Sequence, residues 1–596
     1  MPGSSRRPAP FARNKSHPRP VRHGTLLGAL LLGAVPQALS AAAPPPAYDL
    51  IIANGLIYDG SGGRPFKGDV AIVGDRIVHV GAKPKGRAKR IVDANGLAIA
   101  PGFINSMSWA TFDLIANPDA ESDLRQGITL EVLNEGVSPG PRHAGTDREL
   151  AEEEINIPAD FTWQSFGDYM SALEKRGISV NIAGWVGATT IRSAVLGDSS
   201  VAPGPEQLAR MRAMVEQAMK EGALGVSSAL IYSPGFYAGT DELASLAEVA
   251  GRCGGMYISH MRSEGNQFLE ALDELITIAK KSGAPAEVTH IKVGGPTNWH
   301  KMAVALDRME AARASGARIT ANVYPYTASG TGLTASMPPW LQVGGISALK
   351  QRLQDSELRA RAIAEMQDPD QPWENVMRGA GGADGVLIAA LANPDLAPMS
   401  GKTLAEIAGQ WGVVPEEAAL RLVEQDNSRV GAIYSTMREE DLIMAMRHPY
   451  VSVGSDAGVL SSGNMATESS SHPRGFGTFA RIFARYVREK HIWTVEEAVR
   501  RLTSLPAGKY GIADRGTIKP GYFADIVLFD PARMQDRATY LKPREGATGV
   551  RDVFVNGVQI FENGHPTAAR AGRYIKGRAA NEGGCRATAR DWPRPG

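Results

Sequence analysis

Four short runs in this sequence end an apolar stretch with a side chain that can bind a metal ion or move a proton. Glu135 follows "LEVLN", His260 follows "MYIS", His290 follows "AEVT" and Asp456 follows "VSVGS". One carboxylate and two imidazoles can hold a zinc ion and leave a fourth position for water. A carboxylate beside that position is the general base that metal-assisted hydrolysis needs. The pattern therefore predicts Glu135, His260 and His290 as ligands of one zinc ion per chain, with Asp456 as the base.

Taken singly, each of these residues has a simpler explanation. A lone histidine in an apolar strand is more often a hydrogen-bonded core residue than a ligand. Glu135 alone reads as a solvated loop acid. The metal-site hypothesis therefore depends on whether the fold brings the ends of these apolar stretches to one place.

Residues 100–512 alternate strand-like and helix-like segments, which is typical of an α/β fold. The helical stretch "PEQLARMRAMVEQAMKEG", for example, repeats its apolar residues at helical spacing. The eight apolar strand cores are "LAIAPGFIN", "GITLEVLN", "ISVNIAGWV", "LGVSSALIY", "GMYISHMR", "PAEVTHIK", "ARITANVYP" and "PYVSVGSDA". Eight such units predict a TIM-type (β/α)8 barrel, whose functional side chains gather at the carboxyl ends of its strands.

The remaining segments predict additions to this barrel. Residues 48–99 and 513–576 have short apolar runs separated by turns, so we expect the two chain ends to build one small β-sandwich. Residues 337–448 are too long for an ordinary connection and predict a helical insertion between strands seven and eight. Residues 577–596 predict a flexible tail. We expect the only two cysteines, Cys253 and Cys585, to stay unpaired because Cys585 lies in that tail.

Residues 1–40 have the pattern of a signal peptide. Six basic residues and no acidic ones precede an apolar run that is too short to span a bilayer, and cleavage near Ser40–Ala41 fits the small residues there. We therefore expect an exported protein, periplasmic or secreted, with no membrane segment after cleavage. The formal net charge of +1 falls to −5 without those six charges, which argues against a nucleic-acid partner and leaves a small-molecule substrate.

Eight runs of the sequence resemble the N-acyl-D-amino-acid deacylases (D-aminoacylases) of the amidohydrolase superfamily. The runs are "QGITLEVLNEG", "SSALIYSPGFYAGTDEL", "YISHMRSEG", "EVTHIKVGG", "YPYTASGTGL", "VGSDAG", "SHPRGFGTFARI" and "GTIKPGYFADIVLFDP"; they lie between residues 126 and 531, and the resemblance extends over roughly residues 48–576. The resemblance implies zinc-dependent hydrolysis of the amide bond of an N-acyl-D-amino acid. It also implies that Asp456 activates the water and then protonates the leaving amine. Further site residues follow from the positions of these runs: Lys292, Tyr324 and Arg474 would bind the substrate carboxylate, and His472 would shape the rim.

The sequence departs from this family at the first strand. Relatives carry two histidines there, one residue apart, where this chain has Met107 and Trp109, and Ala188 stands where relatives often have another histidine. The loss affects a second metal site and leaves the predicted ligands intact, so we expect a one-metal enzyme. Two alternatives stay open: a hydrolase of D-residue dipeptides or cyclic amides that uses the same site, and a protein that binds acyl-amino acids without catalysis. The oligomeric state cannot be inferred.

Overall fold

Eight parallel strands form the barrel, and each of them matches a predicted strand. The computed structural model describes residues 48–152, 155–460 and 472–585; the predicted signal peptide therefore lies outside the described residues. The barrel strands, named β1 to β8 in chain order, are β1 (Phe103–Ser108), β2 (Ile128–Leu133), β3 (Asn181–Gly184, continued by Val186–Gly187), β4 (Gly225–Ala229), β5 (Met256–His260), β6 (Ala286–Val288), β7 (Ile319–Val323) and β8 (Val451–Val453).

Parallel pairing runs from β1 to β8 and closes the barrel. Each strand pairs with the next in register. A parallel bridge between Ser108 and Ala457 joins the ends of β1 and β8 and completes the ring. Every residue of the eight strands is buried, as expected for parallel strands that are covered on both faces.

Helices surround the barrel and connect its strands. The helix at Pro205–Glu221 illustrates their sequence signals: proline occupies its first turn, and Gly222 ends it with a φ of 119° that side chains disfavour. The helices of the ring are Asp113–Ala116, Glu121–Leu124, Ala144–Glu152, Phe166–Arg176, Ala188–Leu196, Pro205–Glu221, Thr240–Arg252, Phe268–Ser282, Lys301–Ala314, Glu439–Met446, Arg474–Arg481 with its π-helical continuation Ile482–Glu489, Val495–Leu502 and Ser504–Tyr510. A 3₁₀ turn lies at Gly235–Tyr237.

The insertion after β7 is mainly helical, as predicted, but it also contains an antiparallel sheet that the sequence did not indicate. The sheet strands are Ser329–Gly332, Val386–Ala390 and Gly431–Tyr434. The first of these, "SGTG", lacks any apolar alternation and so gives no strand signal. The helical segments are Leu333–Ser336, Pro339–Gln342, Gly345–Leu353, Ser356–Gln367, Val376–Gly379, Ala383–Gly385, Pro394–Met399, Leu404–Trp411 and Pro415–Asp426. They enclose a separate apolar core. Glu439–Met446, inside the predicted bounds 337–448, packs on the barrel instead.

The two chain ends share one nine-stranded sheet, which agrees with the prediction that they build one small β domain, while the bounds 48–99 and 513–576 and the sandwich arrangement stay predictions. Its strands are Tyr48–Ile57, Phe66–Val73, Arg76–Gly81, Ala88–Asp93, Ala98–Pro101, Ile526–Phe529, Val550–Val555, Val558–Glu562 and His565–Pro566. The ends meet where Ala98–Pro101 pairs antiparallel with Ile526–Phe529. Residues from both ends, such as Ile52 and Phe554, share one core beside this sheet.

The C-terminal segment is anchored to the barrel, which corrects two expectations. Arg578–Asn581 forms a short helix against Pro205–Glu221, so the described part of the predicted tail, up to Cys585, is not flexible chain. Cys585 forms a disulfide with Cys253 at the end of the helix Thr240–Arg252. The expectation of unpaired cysteines was wrong because the composition of the tail does not reveal its packing. Among the described residues, none of the helices has the length and apolarity that crossing a bilayer requires.

Candidate active site

The predicted metal ligands and base lie together at the carboxyl end of the barrel. His260 is the last residue of β5, Glu135 and His290 each lie two residues beyond β2 and β6, and Asp456 lies three residues beyond β8. His290 and Asp456 have positive φ angles of 35° and 51°. Non-glycine residues adopt this conformation rarely, and it is often retained where function fixes a side chain.

Backbone hydrogen bonds hold these two unusual conformations. The His290 amide donates to Asn322 Oδ1 at 2.6 Å, and the Asp456 amide donates to the Met107 carbonyl at 3.0 Å. Neighbouring strands β7 and β1 therefore fix the direction of both functional side chains.

Glu135, His260 and His290 form a buried cluster whose donor atoms all lie within 4.8 Å of one another. Glu135 Oε1 is 3.0 Å from His290 Nε2, and Glu135 Oε2 is 3.8 Å from His260 Nδ1. Such spacings suit atoms that share one tetrahedral ion at about 2 Å each. The buried Nε2 of His260 has no hydrogen-bond partner among the described residues and lies 3.7 Å from Glu264 Oε2, whereas Nδ1 is the nitrogen of this ring that faces Glu135. The cluster therefore fits a zinc ion.

Electrostatics in the cluster also favour a cation. Burial would raise the pKa of Glu135, but the neighbouring charges of His290 and His260 hold this pKa well below its usual range. Burial and Lys292 oppose protonation of His290, yet Glu135, Glu264 and Asp456 outweigh them and raise the pKa of His290 to about 10. A metal ion binding here at neutral pH therefore displaces a proton from the imidazole.

Glu264, four residues after His260, is a site residue that the sequence analysis did not assign. Its Oε1 is 3.1 Å from His290 Nδ1 and 2.6 Å from Lys292 Nζ, and its Oε2 is 3.7 Å from His260 Nε2. Burial would raise the pKa of Glu264, but Lys292 and the two imidazoles hold it well below the usual range, so the group is a carboxylate. The run "HMRSE", with an acid four residues after a candidate ligand, was the available signal.

The insertion holds the backbone that carries Glu264. Glu374, which lies in the insertion, accepts hydrogen bonds from the amides of Glu264 at 2.5 Å and Gly265 at 3.2 Å. The Gly294 amide, beyond β6, donates to the Glu264 carbonyl at 2.6 Å. Contacts from two separate segments therefore position this carboxylate.

Both carboxylate oxygens of Asp456 are bonded. Oδ1 accepts a hydrogen bond from the indole Nε1 of Trp109 at 2.8 Å, and Oδ2 forms an ion pair with Arg474 Nη1 at 2.7 Å. Trp109 is one of the two residues that replace the first-strand histidines. The substitution therefore brings a hydrogen-bond donor to the predicted base.

Lys292, Tyr324 and Arg474, which the resemblance assigns to binding of the substrate carboxylate, lie near one another. Lys292 Nζ lies 5.6 Å and the Arg474 guanidinium carbon 4.9 Å from the centre of the Tyr324 ring. The Tyr324 hydroxyl is buried without a hydrogen-bond partner among the described residues, and burial raises its pKa well above the usual 10. A neutral donor and two cations make a site suited to an anion.

His472, predicted to shape the rim, is buried with both ring nitrogens occupied. Nε2 contacts the Ala328 carbonyl at 3.0 Å, and Nδ1 accepts from the Arg474 amide at 3.0 Å. Burial, reinforced by the charge of Arg474, lowers the pKa of His472 well below its usual value. The neutral ring therefore positions the segment that carries Arg474 and offers no free nitrogen to a ligand.

Comparisons with known proteins agree with this architecture. Residues 451–561 match the model of the amidohydrolase family. The chain is 32% identical to the N-acyl-D-glutamate deacylase of Alcaligenes xylosoxydans xylosoxydans, over 89% of this chain and 96% of that protein. The N-acyl-D-glutamate deacylase of Bordetella bronchiseptica, crystallised with zinc and a phosphonate inhibitor that mimics the tetrahedral intermediate, superposes with a TM-score of 0.74. It is 30% identical, with coverage of 89% of this chain and 100% of that one.

A D-aminoacylase structure gives a TM-score of 0.72 at 30% identity, again over 89% and 100% of the two chains. It was solved to study a binuclear metal centre with one-metal activation and second-metal attenuation. The fold and the matches define an amidohydrolase, a hydrolase of C–N bonds other than peptide bonds. Within that class, the chain belongs to the N-acyl-D-amino-acid deacylase (D-aminoacylase) family, which confirms the resemblance found in its motifs.

Proposed function

We propose that this protein is a zinc-dependent hydrolase that cleaves N-acyl-D-amino acids into a carboxylate and a free D-amino acid. The observation that carries the proposal is the buried cluster of Glu135, His260 and His290 beside Asp456 at the barrel mouth. Support comes from two relatives that are N-acyl-D-glutamate deacylases. This chain is similar to them along nearly their whole length.

Four residues would carry out the hydrolysis, three by holding the metal ion and one by transferring the proton. A zinc ion held by Glu135, His260 and His290 would polarise the scissile carbonyl and acidify the attacking water. Asp456 would accept the proton of that water and then deliver it to the departing nitrogen. Its two bonded oxygens fix the carboxylate in place, and Arg474 would keep this ion pair while it also binds the substrate carboxylate.

Lys292, Tyr324 and Arg474 would bind the α-carboxylate of the substrate. In the structure Lys292 is paired with Glu264 and Arg474 with Asp456, while the Tyr324 hydroxyl finds no partner within the described part of the chain. An incoming carboxylate adds a negative charge, so each cation could bind the substrate and keep its present partner, Glu264 or Asp456. The free α-carboxylate should therefore determine how tightly the substrate binds. An N-acyl-D-amino acid whose carboxylate is esterified should be a poor substrate.

The experiment is an enantiomer-resolved deacylation screen with zinc quantified on the same sample. N-acetyl-D-amino acids with acidic, apolar and polar side chains are compared with their L-enantiomers, with D-residue dipeptides and with hydantoins. We expect turnover of N-acetyl-D-amino acids but not of their L-enantiomers, and about one zinc ion per chain. Turnover of dipeptides or cyclic amides alone, or stoichiometric binding without turnover, contradicts the proposal and favours one of the alternatives.

Asp456→Asn tests the base directly. The amide keeps the shape and the hydrogen bond to Trp109 but accepts no proton from water, so kcat should fall about 10²–10⁴-fold. Zinc content, measured by inductively coupled plasma mass spectrometry, should stay at one per chain. Loss of zinc in this variant would show that Asp456 is a ligand and contradict its role as base.

We also propose that the protein is exported and loses residues 1–40. The basic, then apolar, N-terminus supports this proposal, and so does the disulfide between Cys253 and Cys585, since disulfides persist in oxidising compartments. N-terminal sequencing of protein from the periplasm or medium should give a start near Ala41. Full-length protein recovered from the cytoplasm, with residues 1–40 still attached, would contradict export.

A further inference from the structure

The ends of β1 and β8 are hydrogen-bonded to each other at the position where the base is held. The Asp456 amide donates to the Met107 carbonyl at 3.0 Å, and the Trp109 amide donates to the Ala457 carbonyl at 2.9 Å. This reciprocal pair fixes the backbone of Trp109 relative to that of Asp456. The bond from the indole Nε1 to Asp456 Oδ1, 2.8 Å long, is therefore set by the closure of the barrel.

Neither residue that replaces the first-strand histidines is suited to zinc. An indole offers an N–H donor and no lone pair, and a thioether is a weak, soft ligand. Met107 is also 2% exposed, and its Cβ lies against Gly454, where an added Cβ would come within 2.5 Å. A second ion near Asp456 would therefore find no imidazole on β1.

We propose that the indole N–H of Trp109 takes the place of a second metal ion as the partner that holds Asp456, which makes the site mononuclear by construction. This inference rests on the proposed function and deepens it. An ion bound to Oδ1 would orient the carboxylate and occupy that oxygen; the indole does both as a neutral donor. Trp109 is thus a positioning residue for the base. The change at the first strand replaces a metal ligand with a hydrogen-bond donor that holds Asp456.

Trp109→Phe removes the donor and keeps an aromatic ring. We expect kcat to fall roughly 10- to 100-fold with KM within about twofold, because the base loses its orientation while the carboxylate-binding residues remain. Zinc content should stay at one per chain. Trp493→Phe is the matched control: the Trp493 indole is buried and donates to the Met446 carbonyl at 3.0 Å, next to a peripheral helix of the barrel. Its kcat should be unchanged.

An unchanged kcat in Trp109→Phe would overturn the inference, and so would loss of zinc, which would make the indole a support of the ligand cluster. If the wild-type protein hydrolyses no acyl-D-amino acid, the proposed function fails, and a substrate-independent measurement then decides the inference. The ¹⁵N–¹H resonance of the Trp109 indole, assigned by its absence in Trp109→Phe, should lie downfield and move upfield in Asp456→Ala. A resonance that does not move shows that the bond is absent in solution.

The metal stoichiometry gives the complementary test. With excess zinc, the wild-type protein should bind one ion, and Met107→His with Trp109→His should bind two, because the double change restores imidazoles beside Asp456. Two tight ions in the wild-type protein would overturn the inference. One ion in the double variant would also overturn it, since the first-strand residues would then not determine the number of ions.

Discussion

Glu264 lies on the side of His290 that faces away from Glu135. A histidine that binds a metal through one ring nitrogen usually donates the other N–H to a carboxylate or carbonyl, which fixes the orientation of the ring. The distance of 3.1 Å between His290 Nδ1 and Glu264 Oε1 matches this arrangement. We therefore expect Glu264, together with Lys292 Nζ at 2.7 Å from the same nitrogen, to orient the ring of His290.

Glu264→Gln should weaken zinc binding by about 10- to 100-fold, because the amide is a poorer acceptor and Lys292 loses its partner. Competition with a chromophoric chelator measures the change in Kd. Glu439→Gln, which removes a carboxylate paired with Arg485 on the outside of the barrel, is the control and should leave Kd unchanged. Equal Kd values for Glu264→Gln and the wild-type protein would contradict this role.

At the scale of elements, β1 packs closely against the segment after β8 that carries Asp456. A Cβ on Gly454 would lie 2.5 Å from the Met107 Cβ and 2.8 Å from its backbone nitrogen. The strands must separate to admit even one methyl group, and the hydrogen bonds that position Asp456 span the same junction.

Gly454→Ala should therefore lower the free energy of unfolding by about 1–3 kcal/mol and also reduce kcat. Gly409→Ala is the matched control, since Gly409 lies inside the helix Leu404–Trp411 with no atom within 4 Å of an added Cβ. That change should stabilise the protein by about 0.5–1 kcal/mol. Chemical denaturation and steady-state kinetics of both variants check these expectations; a fully active Gly454→Ala would contradict them.

Asp123 and Glu131 form a buried acid pair between the helix Glu121–Leu124 and β2. Burial raises the pKa of both groups, that of Glu131 from 4.5 to about 7, and the charge of Glu131 adds to the rise for Asp123. A folded pKa above the unfolded one means that the native state binds more protons. The ionisation of Glu131 should thus lower the free energy of unfolding as pH rises from about 4.5 to about 7, and the raised pKa of Asp123 adds to this fall.

Glu131→Gln removes the contribution of Glu131 and should raise the stability at pH 8 by up to ~3 kcal/mol, with little change at pH 4.5. Calorimetry at the two pH values measures the difference. Glu287→Gln is the contrasting variant. The carboxylate of Glu287 is paired with the buried Lys509, so the loss of its charge should destabilise the protein at both pH values. A Glu131→Gln variant less stable than the wild-type protein at pH 8 would contradict the assignment.

The sequence predicts elements whose signal is local and misses contacts that depend on tertiary packing. The eight barrel strands are continuous apolar runs, so periodicity and length reveal them, and the ligands follow because they end those runs. The short strand Ser329–Gly332 has no such pattern and forms only through pairing with Gly431–Tyr434. Similarly, the roles of Glu264 and Trp109 depend on atoms brought close by other strands, which spacing along the chain does not encode.

At the scale of the whole molecule, the disulfide ties the last described residue to the barrel. Cys253 is fully buried and Cys585 packs beside the main core, although 332 residues separate them in sequence. Cross-linking such distant positions restricts the unfolded chain, and loss of a native disulfide costs about 2–5 kcal/mol.

Cys585→Ser should accordingly lower the free energy of unfolding by about 2–5 kcal/mol, measured by guanidinium denaturation without reductant. Reductant should destabilise the wild-type protein by a similar amount and leave the variant unaffected. Thiol titration of the native wild-type protein should detect no free cysteine. Two reactive thiols before reduction would show that the bond does not form.

The nine-stranded sheet can be completed only late in translation, because two distant parts of the chain form it. Ala98–Pro101 emerges from the ribosome more than 400 residues before its partner Ile526–Phe529. Until then the nascent chain presents an open strand edge, which is prone to pair with other chains. A chain stopped near residue 520 should accordingly aggregate although it carries all four residues of the metal and base cluster, and a chaperone that shields this edge should be needed until translation ends.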